Sequence, residues 1–485
     1  MNNFRWLAAL MLFAAPVFAA PPLQQYLEEF DQQFHARMAK SKVPGGIYVV
    51  VKGDQIVKIG THGVREVGSK AKVDENTIFR LASVSKTFAA GLATQLEHEG
   101  KFNWNDAATR YVPDFSFRSP NLTKQVKVEH MLGQNSGLSA NAFDDLIENN
   151  MTPEQILPRF GQINPRCAPG KCYGYQNVFF SLIARVMQKT TGSSYEQLLE
   201  QRIFRPLQMH TASVGYSGFL ANKNRAMPHV GSKKGWVEAK VVPTYYRVNP
   251  AAGVNASARD MGQWLIARLG HRPQVLSVPV INDMHTPRVQ TADNLMGRTF
   301  GPYVSDAYYG LGLRIYRFGK HTLYHHGGLV KGYRTDLSYS LDKDMGIVVL
   351  VNAQSNIVAE LASEFWATML DVSPQGSAQS AVKPTAFKQS STASSLAVAG
   401  GAAAATAVVA SKKTAQSSTK TSKKPVLKKK TSQKKAVKTA PKRSAKASNK
   451  KRSTTLKGQK TKKPPVKKKT PAKKPPAKKT PPSVF

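Results

Sequence analysis

No aspartate or glutamate follows Asp371 in this chain of 485 residues, yet 30 lysines and arginines do. A segment so charged, with so few large apolar side chains, cannot bury a core. Any fold must therefore be built from the residues ahead of it. The tail carries +30 of the formal net charge of +41, and about +11 remains for the front of the chain. Residues 372–411 read as a low-complexity linker rich in Ser, Ala, Thr, Gln and Gly. Within it, 396–410 is apolar but made of small residues and broken by Gly400 and Gly401, too short and too weakly hydrophobic for a membrane span. Residues 412–485 are a Lys/Ala/Pro-rich basic tail, expected to be disordered because its charges repel one another.

Such a polycation binds anionic polymers or surfaces by releasing counterions. Lipopolysaccharide phosphates, membrane lipid headgroups and nucleic acid all qualify. No aromatic residue interleaves the lysines, so base stacking is not supported. A solvated spacer is the plainer alternative.

The first 19 residues read as a signal peptide. Arg5 supplies the positive start, an apolar run too short to span and stop in a bilayer follows, and Val17-Phe18-Ala19 gives the small-residue cleavage pattern. The mature chain is expected to carry no transmembrane helix and to work in the periplasm or at the cell surface. That placement argues against a chromosomal partner for the tail and for cell-surface anions. Two cysteines exist, Cys167 and Cys172, with Pro169 and Gly170 between them. An oxidising compartment permits a disulfide there, with two free thiols as the alternative. No further ligand at a recognisable spacing points to metal.

Residues 20–371 are the candidate folded domain. Leu23, Tyr26, Leu27, Phe30, Phe34 and Met38 recur at helical spacing. Residues 46–51 and 55–60 read as two strands around a turn, and 83–98 as a helix closed by Gly100. The stretch 105–270 is mostly helical patterning. Residues 309–351 return to strand character, and a helix over 358–370 ends the region. Strands at both ends of the domain imply a sheet assembled from distant segments, with a helical lobe against it and a cleft between them.

Three segments carry chemistry. In Phe79-Arg80-Leu81-Ala82-Ser83-Val84-Ser85-Lys86, a serine and a lysine three apart on a helix face the same way, so Lys86 can act on the Ser83 hydroxyl. A serine at a helix start also has backbone N–H groups aimed at a developing oxyanion. Ser85 is a nucleophile by type, but no lysine follows it at that spacing. In Tyr173-Gly174-Tyr175-Gln176-Asn177, Tyr175 can carry a proton to a leaving group and Asn177 can offer its amide to a substrate carbonyl. Packing aromatics are the plainer reading of the two tyrosines. In His325-His326-Gly327-Gly328-Leu329, the glycines let a ligand backbone approach, Leu329 can supply a second oxyanion N–H, and His326 would face the substrate. His325 reads as a surface or core histidine.

These elements, in this order, resemble the serine β-lactamase-related family, which takes in class C β-lactamases, low-molecular-weight penicillin-binding proteins, D-aminopeptidases and some esterases. Asn135-Ser136-Gly137-Leu138 and the segments 224–229 and 252–260 match it too, and the resemblance covers about residues 25–370. It implies an α/β (α+β) fold: an antiparallel sheet flanked by helices, plus a mostly helical lobe. It implies Ser83 as nucleophile, Lys86 and Tyr175 as the proton-handling pair, and Asn177, His326, Gly327, Gly328 and Leu329 as substrate contacts. How Lys86 and Tyr175 divide the general-base role stays open.

His326-Gly327-Gly328 stands where β-lactamases usually carry Lys-Thr-Gly. That departure exchanges a fixed cation for a residue titrating near neutrality, and resembles the D-aminopeptidase and esterase branches. Gln134 also departs from the histidine common at its place. The expectation is a secreted serine hydrolase with no metal or cofactor, acting through an acyl-enzyme on D-amino-acid peptides or β-lactams. The alternatives are a carboxylesterase using the same residues, and a catalytically silent binding protein held to anionic surfaces by its tail.

Overall fold

The computed structural model describes residues 22–291 and 297–374. The expected signal peptide, the linker beyond residue 374 and the basic tail lie outside the described residues.

The first helix, α1 (Pro22–Ser41), buries Leu27, Phe30, Phe34 and Met38, the apolar stripe that the periodicity predicts. Its opposite face is held by exposed pairs one turn apart, Gln24 with Glu28 and Gln25 with Glu29. A hairpin follows, β1 (Gly45–Lys52) and β2 (Gln55–Gly63), turning at Gly53 with φ of +61°. The middle of the chain supplies β3 (Phe79–Arg80), α2 (Ser85–His98), β4 (Ser213–Val214), the hairpin β5 (His229–Ser232) and β6 (Gly235–Glu238), β7 (Val254–Ala256) and α3 (Ala258–Arg268). Between 105 and 250 the helices are short, many of four or five residues, because Pro and Gly interrupt them. The chain then lays down β8 (Val289–Gln290), β9 (Val304–Tyr309), β10 (Arg314–Phe318), β11 (His321–Val330), β12 (Tyr333–Ser340) and β13 (Met345–Val351), and ends in α4 (Ile357–Met369).

Eight of these strands form one sheet in the order β2-β1-β13-β12-β11-β10-β9-β8, and each pairing is antiparallel. The hairpin from the start of the domain closes onto the last strand, with Gly46 opposite Val351 and Lys52 opposite Met345. This is the sheet of distant segments expected from the pattern.

Both of its faces are covered, which is why β1 and β13 are buried almost throughout rather than alternating with polar residues. Tyr48, Val50, Ile347 and Val349 point into a core shared with α1 and α4. Ile47, Val49, Val348 and Leu350 point into the larger core shared with α2, α3 and the helical lobe. On the first side, Phe365 packs edge-on against Phe30, and Arg37 pairs with Glu364 at 2.6 Å, so the two terminal helices lock together.

Register decides where the cleft opens. β10 starts at Arg314, opposite His325 of β11, while β12 runs beside β11 as far as the Val330–Tyr333 pair. Residues 326–330 of β11 therefore ladder on the β12 side, and their other edge faces the helical lobe. The Val330–Tyr333 pair closes a two-residue turn. Counting back from it, the alternation of an antiparallel ladder turns the Leu329 N–H away from β12.

Trp366 anchors α4. It is fully buried and donates from Nε1 to Ser338 Oγ at 2.8 Å. Replacing it by alanine is expected to lower unfolding free energy by about 3–5 kcal/mol, read as an earlier denaturant midpoint with an unchanged slope.

Candidate active site

Ser83 sits at a sharp reversal between β3 and α2. β3 is held by β7, with Phe79 opposite Ala256 and Arg80 opposite Asn255, and the Leu81 N–H continues the contact to Val254 O at 2.9 Å. Ala82 then takes φ of +49°, a left-handed backbone that a side chain disfavours, and turns the chain into the single 3-10 turn that leads into α2. Two contacts from the sheet hold this reversal. Thr335 Oγ1 donates to Leu81 O at 2.9 Å, and Gly328 lies so close that a Cβ there would stand 2.4 Å from the same oxygen. The result is a half-buried Ser83 at the mouth of a helix, with its own N–H among those a helix leaves without an internal acceptor. Ser85 is not a rival nucleophile. It is fully buried, and its Oγ accepts from the Val254 N–H at 2.9 Å.

Lys86 is fully buried one turn on. Its Nζ lies 2.6 Å from Asn177 Oδ1, 3.1 Å from Ala251 O and 3.3 Å from Ser83 Oγ. The rings of Tyr175 and Phe180 stand 4.6 and 5.2 Å away. Burial drives its pKa well below the usual lysine range. The Asp144 carboxylate acts against that shift, and the Arg314 guanidinium adds to it. A neutral amine has two N–H groups and one lone pair. The three neighbours fit that form: two acceptors, and one hydroxyl able to donate.

Tyr175 lies against the same serine. Burial pushes its phenol up, while the Arg314 guanidinium and a hydrogen bond with Ser83 pull it down, and the net shift is upward. The loop that carries it is pinned at several points. Cys167 and Cys172 form a disulfide. Gly174 packs so tightly that a Cβ would meet Leu138 O at 1.9 Å. Gln134, left-handed at φ +56°, brackets Gln176 by donating from Nε2 to its O at 3.0 Å and accepting its N–H at 2.6 Å. A glutamine's paired donor and acceptor suit that bracket, a consequence of the Gln134 departure that the sequence did not disclose.

Asn177 joins the site, though not as a free amide. Its Oδ1 is taken by Lys86, and its Nδ2 donates to Asp144 Oδ2 at 2.7 Å. It bridges lysine to acid. Asp144 was not singled out from the sequence, because it comes from a separate short helix, Asp144–Glu148, with no motif around it. Its carboxyl is raised by burial and lowered in part by Asn177 and Lys86.

The third segment divides. Gly327, Gly328 and Leu329 line the cleft. His326 does not, and this corrects the expectation that it faces substrate. Its ring is fully buried, with Nε2 3.1 Å from Tyr309 OH and Nδ1 2.8 Å from Gly327 O. Burial above all, with Arg314 and then Lys86 adding to it, holds its pKa well below the usual histidine range. His325, read from the sequence as a surface or core histidine, is nearly buried and bonded to Asp336 at 2.8 Å, and both residues lie in the cleft wall.

A cleft of about 730 Å³ opens where the lobes meet, and Ser83, Asp144, Tyr175, Asn177, Arg314 and Gly328 are in its walls. Glu97, His98 and Asp283 form the one cluster of metal-type side chains among the described residues. It lies outside this cleft, and Asp283 is already engaged by Trp104 and Arg288.

Residues 30–368 match the family model described as Beta-lactamase. The chain belongs to the Beta-lactamase family. Among curated proteins, this family member is similar to Protein flp of Staphylococcus aureus (strain MW2), 22% identical over 341 residues that make up 69% of this chain and 64% of that protein. It is likewise similar to Beta-lactamase-like protein 2 of Dictyostelium discoideum, 24% identical over 365 residues, or 71% and 63% of the two chains. It thus spans just under two thirds of the length of these relatives. Among solved structures, the octameric penicillin-binding protein homologue from Pyrococcus abyssi superposes with a TM-score of 0.63 at 23% identity, over 71% of this chain and 77% of that one. The fold is therefore of the β-lactamase and penicillin-binding-protein type, a family generally made up of hydrolytic serine enzymes.

In this β-lactamase-family chain, Gly328 seats the turn that carries Ser83. Gly328→Ala is expected to push β11 off Leu81 and to destabilise the fold by about 1–3 kcal/mol through overpacking. Thermal denaturation beside the unchanged protein measures it.

Proposed function

We propose that this chain is an exported serine hydrolase that forms an acyl-enzyme on Ser83 and acts on amide bonds of D-amino-acid peptides or β-lactams. The observation that carries this reading is the buried Lys86 amine, held by two acceptors and left with one direction open, toward Ser83 Oγ. As Oγ bonds to the substrate carbonyl carbon, its proton passes to the Lys86 lone pair. The carbonyl oxygen takes up the electron pair between the N–H groups of Ser83 and Leu329. Tyr175, neutral at rest, then gives its proton to the departing nitrogen as the C–N bond breaks, and recovers one from Lys86. Water repeats the sequence to release the acid and restore Ser83. Lys86 is the base in this scheme because its pKa moves toward the working range, while that of the Tyr175 phenol moves away from it.

The basic tail belongs to the same proposal. Its lysines would hold the enzyme to phosphate-bearing surface anions such as lipopolysaccharide, with binding that weakens steeply as salt is added.

Intact-mass measurement after incubation with a fluorophosphonate and with a penicillin tests the hydrolase reading. One adduct is expected, absent in Ser83→Ala. No adduct with either reagent, or equal labelling of the variant, would overturn it in favour of a silent binding protein. A chromogenic cephalosporin, a nitrophenyl ester and a D-alanyl peptide assayed side by side separate amide from ester preference. Asp144 gives a second prediction. Its charge holds Lys86 up, so Asp144→Asn lets the amine lose its proton more readily. The acidic limb of the acylation pH profile should move to lower pH, read from labelling rates across a pH series.

A further inference from the structure

We infer that a second cavity, next to the catalytic cleft, is a binding site for a phosphate-class anion held by Arg80 and Lys331. The site does not depend on the hydrolase reading. Arg80 ends β3, three residues ahead of Ser83, and its side chain lines a cavity of about 500 Å³. Glu148, Tyr245 and Leu329 line both this cavity and the catalytic cleft, so they mark the wall between the two. Arg80, Thr244 and Lys331 line the cavity and not the cleft.

Arg80 is a buried charge without a partner. It is 2% exposed, its guanidinium lies 3.9 Å from the centre of the Tyr246 ring, and among the described residues its side chain makes no hydrogen bond and no ion pair. Nε and Nη2 are sealed from solvent, which leaves Nη1 as the donor with a way into the cavity. A guanidinium does not shed its proton, and a ring face offsets only part of the cost of burying it. Glu148, the carboxylate of the lining, does not pair with it. Its Oε1 accepts from Tyr245 OH at 3.1 Å, in the wall shared with the cleft. An anion in the cavity would supply the missing partner.

The sealed nitrogens decide the class of anion. A carboxylate is best held by two parallel N–H groups of one guanidinium, and the burial of Nε and Nη2 removes that fork. Arg80 offers a single nitrogen. Lys331, exposed in the turn between β11 and β12, adds a compact cation with rotatable donors, and Thr244 brings a hydroxyl. Single donors on separate segments suit an anion whose acceptor oxygens point several ways, as those of a phosphate do. The cavity is roomy enough for a small organic phosphate, with Val242 and Val330 as apolar wall beside it. Free phosphate and a phosphate monoester share this chemistry, and the experiment separates them.

Thermal denaturation of the whole protein at fixed ionic strength tests this, with chloride as the baseline. A ligand that binds only the folded state raises the midpoint, whereas phosphate held by tail lysines, with the domain folded or not, leaves it in place. Inorganic phosphate or glycerol 3-phosphate at saturation is expected to raise the midpoint by about 2–4 °C, and acetate to leave it unmoved. A larger shift with glycerol 3-phosphate at equal concentration identifies a monoester as the ligand; an equal or smaller one identifies free phosphate. In Arg80→Gln the shift should vanish. In Lys331→Ala it should shrink while the midpoint in chloride stays the same. Ser83→Ala should keep the full shift, so a failure of acylation leaves this inference standing. No shift with either phosphate, an equal shift with acetate, or a shift that survives both Arg80→Gln and Lys331→Ala overturns it. If Arg80→Gln does not fold, Lys331→Ala decides, because that side chain is exposed.

Discussion

A primary amine buried without a carboxylate against it is the constraint around which this site is built. Burial in its pocket draws the Lys86 pKa well below the usual lysine range. The amine is surrounded by an amide oxygen, a backbone carbonyl and two aromatic rings. The nearest negative charge is one residue removed, beyond Asn177. That spacing matters. An acid in direct contact would fix the proton on nitrogen, and no acid at all would leave Asn177 free to rotate its amide. With Asp144 taking the Nδ2 end, the oxygen end must face the lysine.

Segments remote from one another in the chain meet around that pocket. α2 carries the amine, the loop tied by Cys167 and Cys172 brings Tyr175 and Asn177, and β11 presses Gly328 under the serine turn. Gly312, left-handed at φ +68°, lets the chain ahead of β10 lie close against α2, since a Cβ there would stand 2.5 Å from Lys86 O. At Gly312 and Gly328 any side chain would collide with the backbone of the segment that carries Ser83 and Lys86.

Much of this was legible in the chain. Ser83, in the 3-10 turn that leads into α2, and Lys86, in the first turn of α2, lie three residues apart, so their meeting follows from the helical spacing read in the sequence. Helix α1, the first hairpin and the strands from residue 309 onward follow from apolar spacing, which their burial dictates. Asp144 and Arg314 were not legible. Each is a charged residue outside any motif, and its meaning comes from what tertiary packing sets beside it. His326 was misplaced for a related reason. Motif position put it at the site, but the fold turned its ring to Tyr309 and left the glycines after it to form the cleft wall. The helical middle was recognised as helical but not as broken for much of its length into helices of four or five residues, which are too short to show a period.

The pairing of β1 with β13 has a consequence for how the chain acquires its shape. Gly46 meets Val351, so a central seam of the sheet joins residues near the two ends of the domain. Contacts so remote in sequence are slow to form, and the entropy of closing the loop must be overcome before they stabilise anything. A growing or threading chain would therefore hold its first hairpin without its sheet neighbour until nearly the whole domain had emerged.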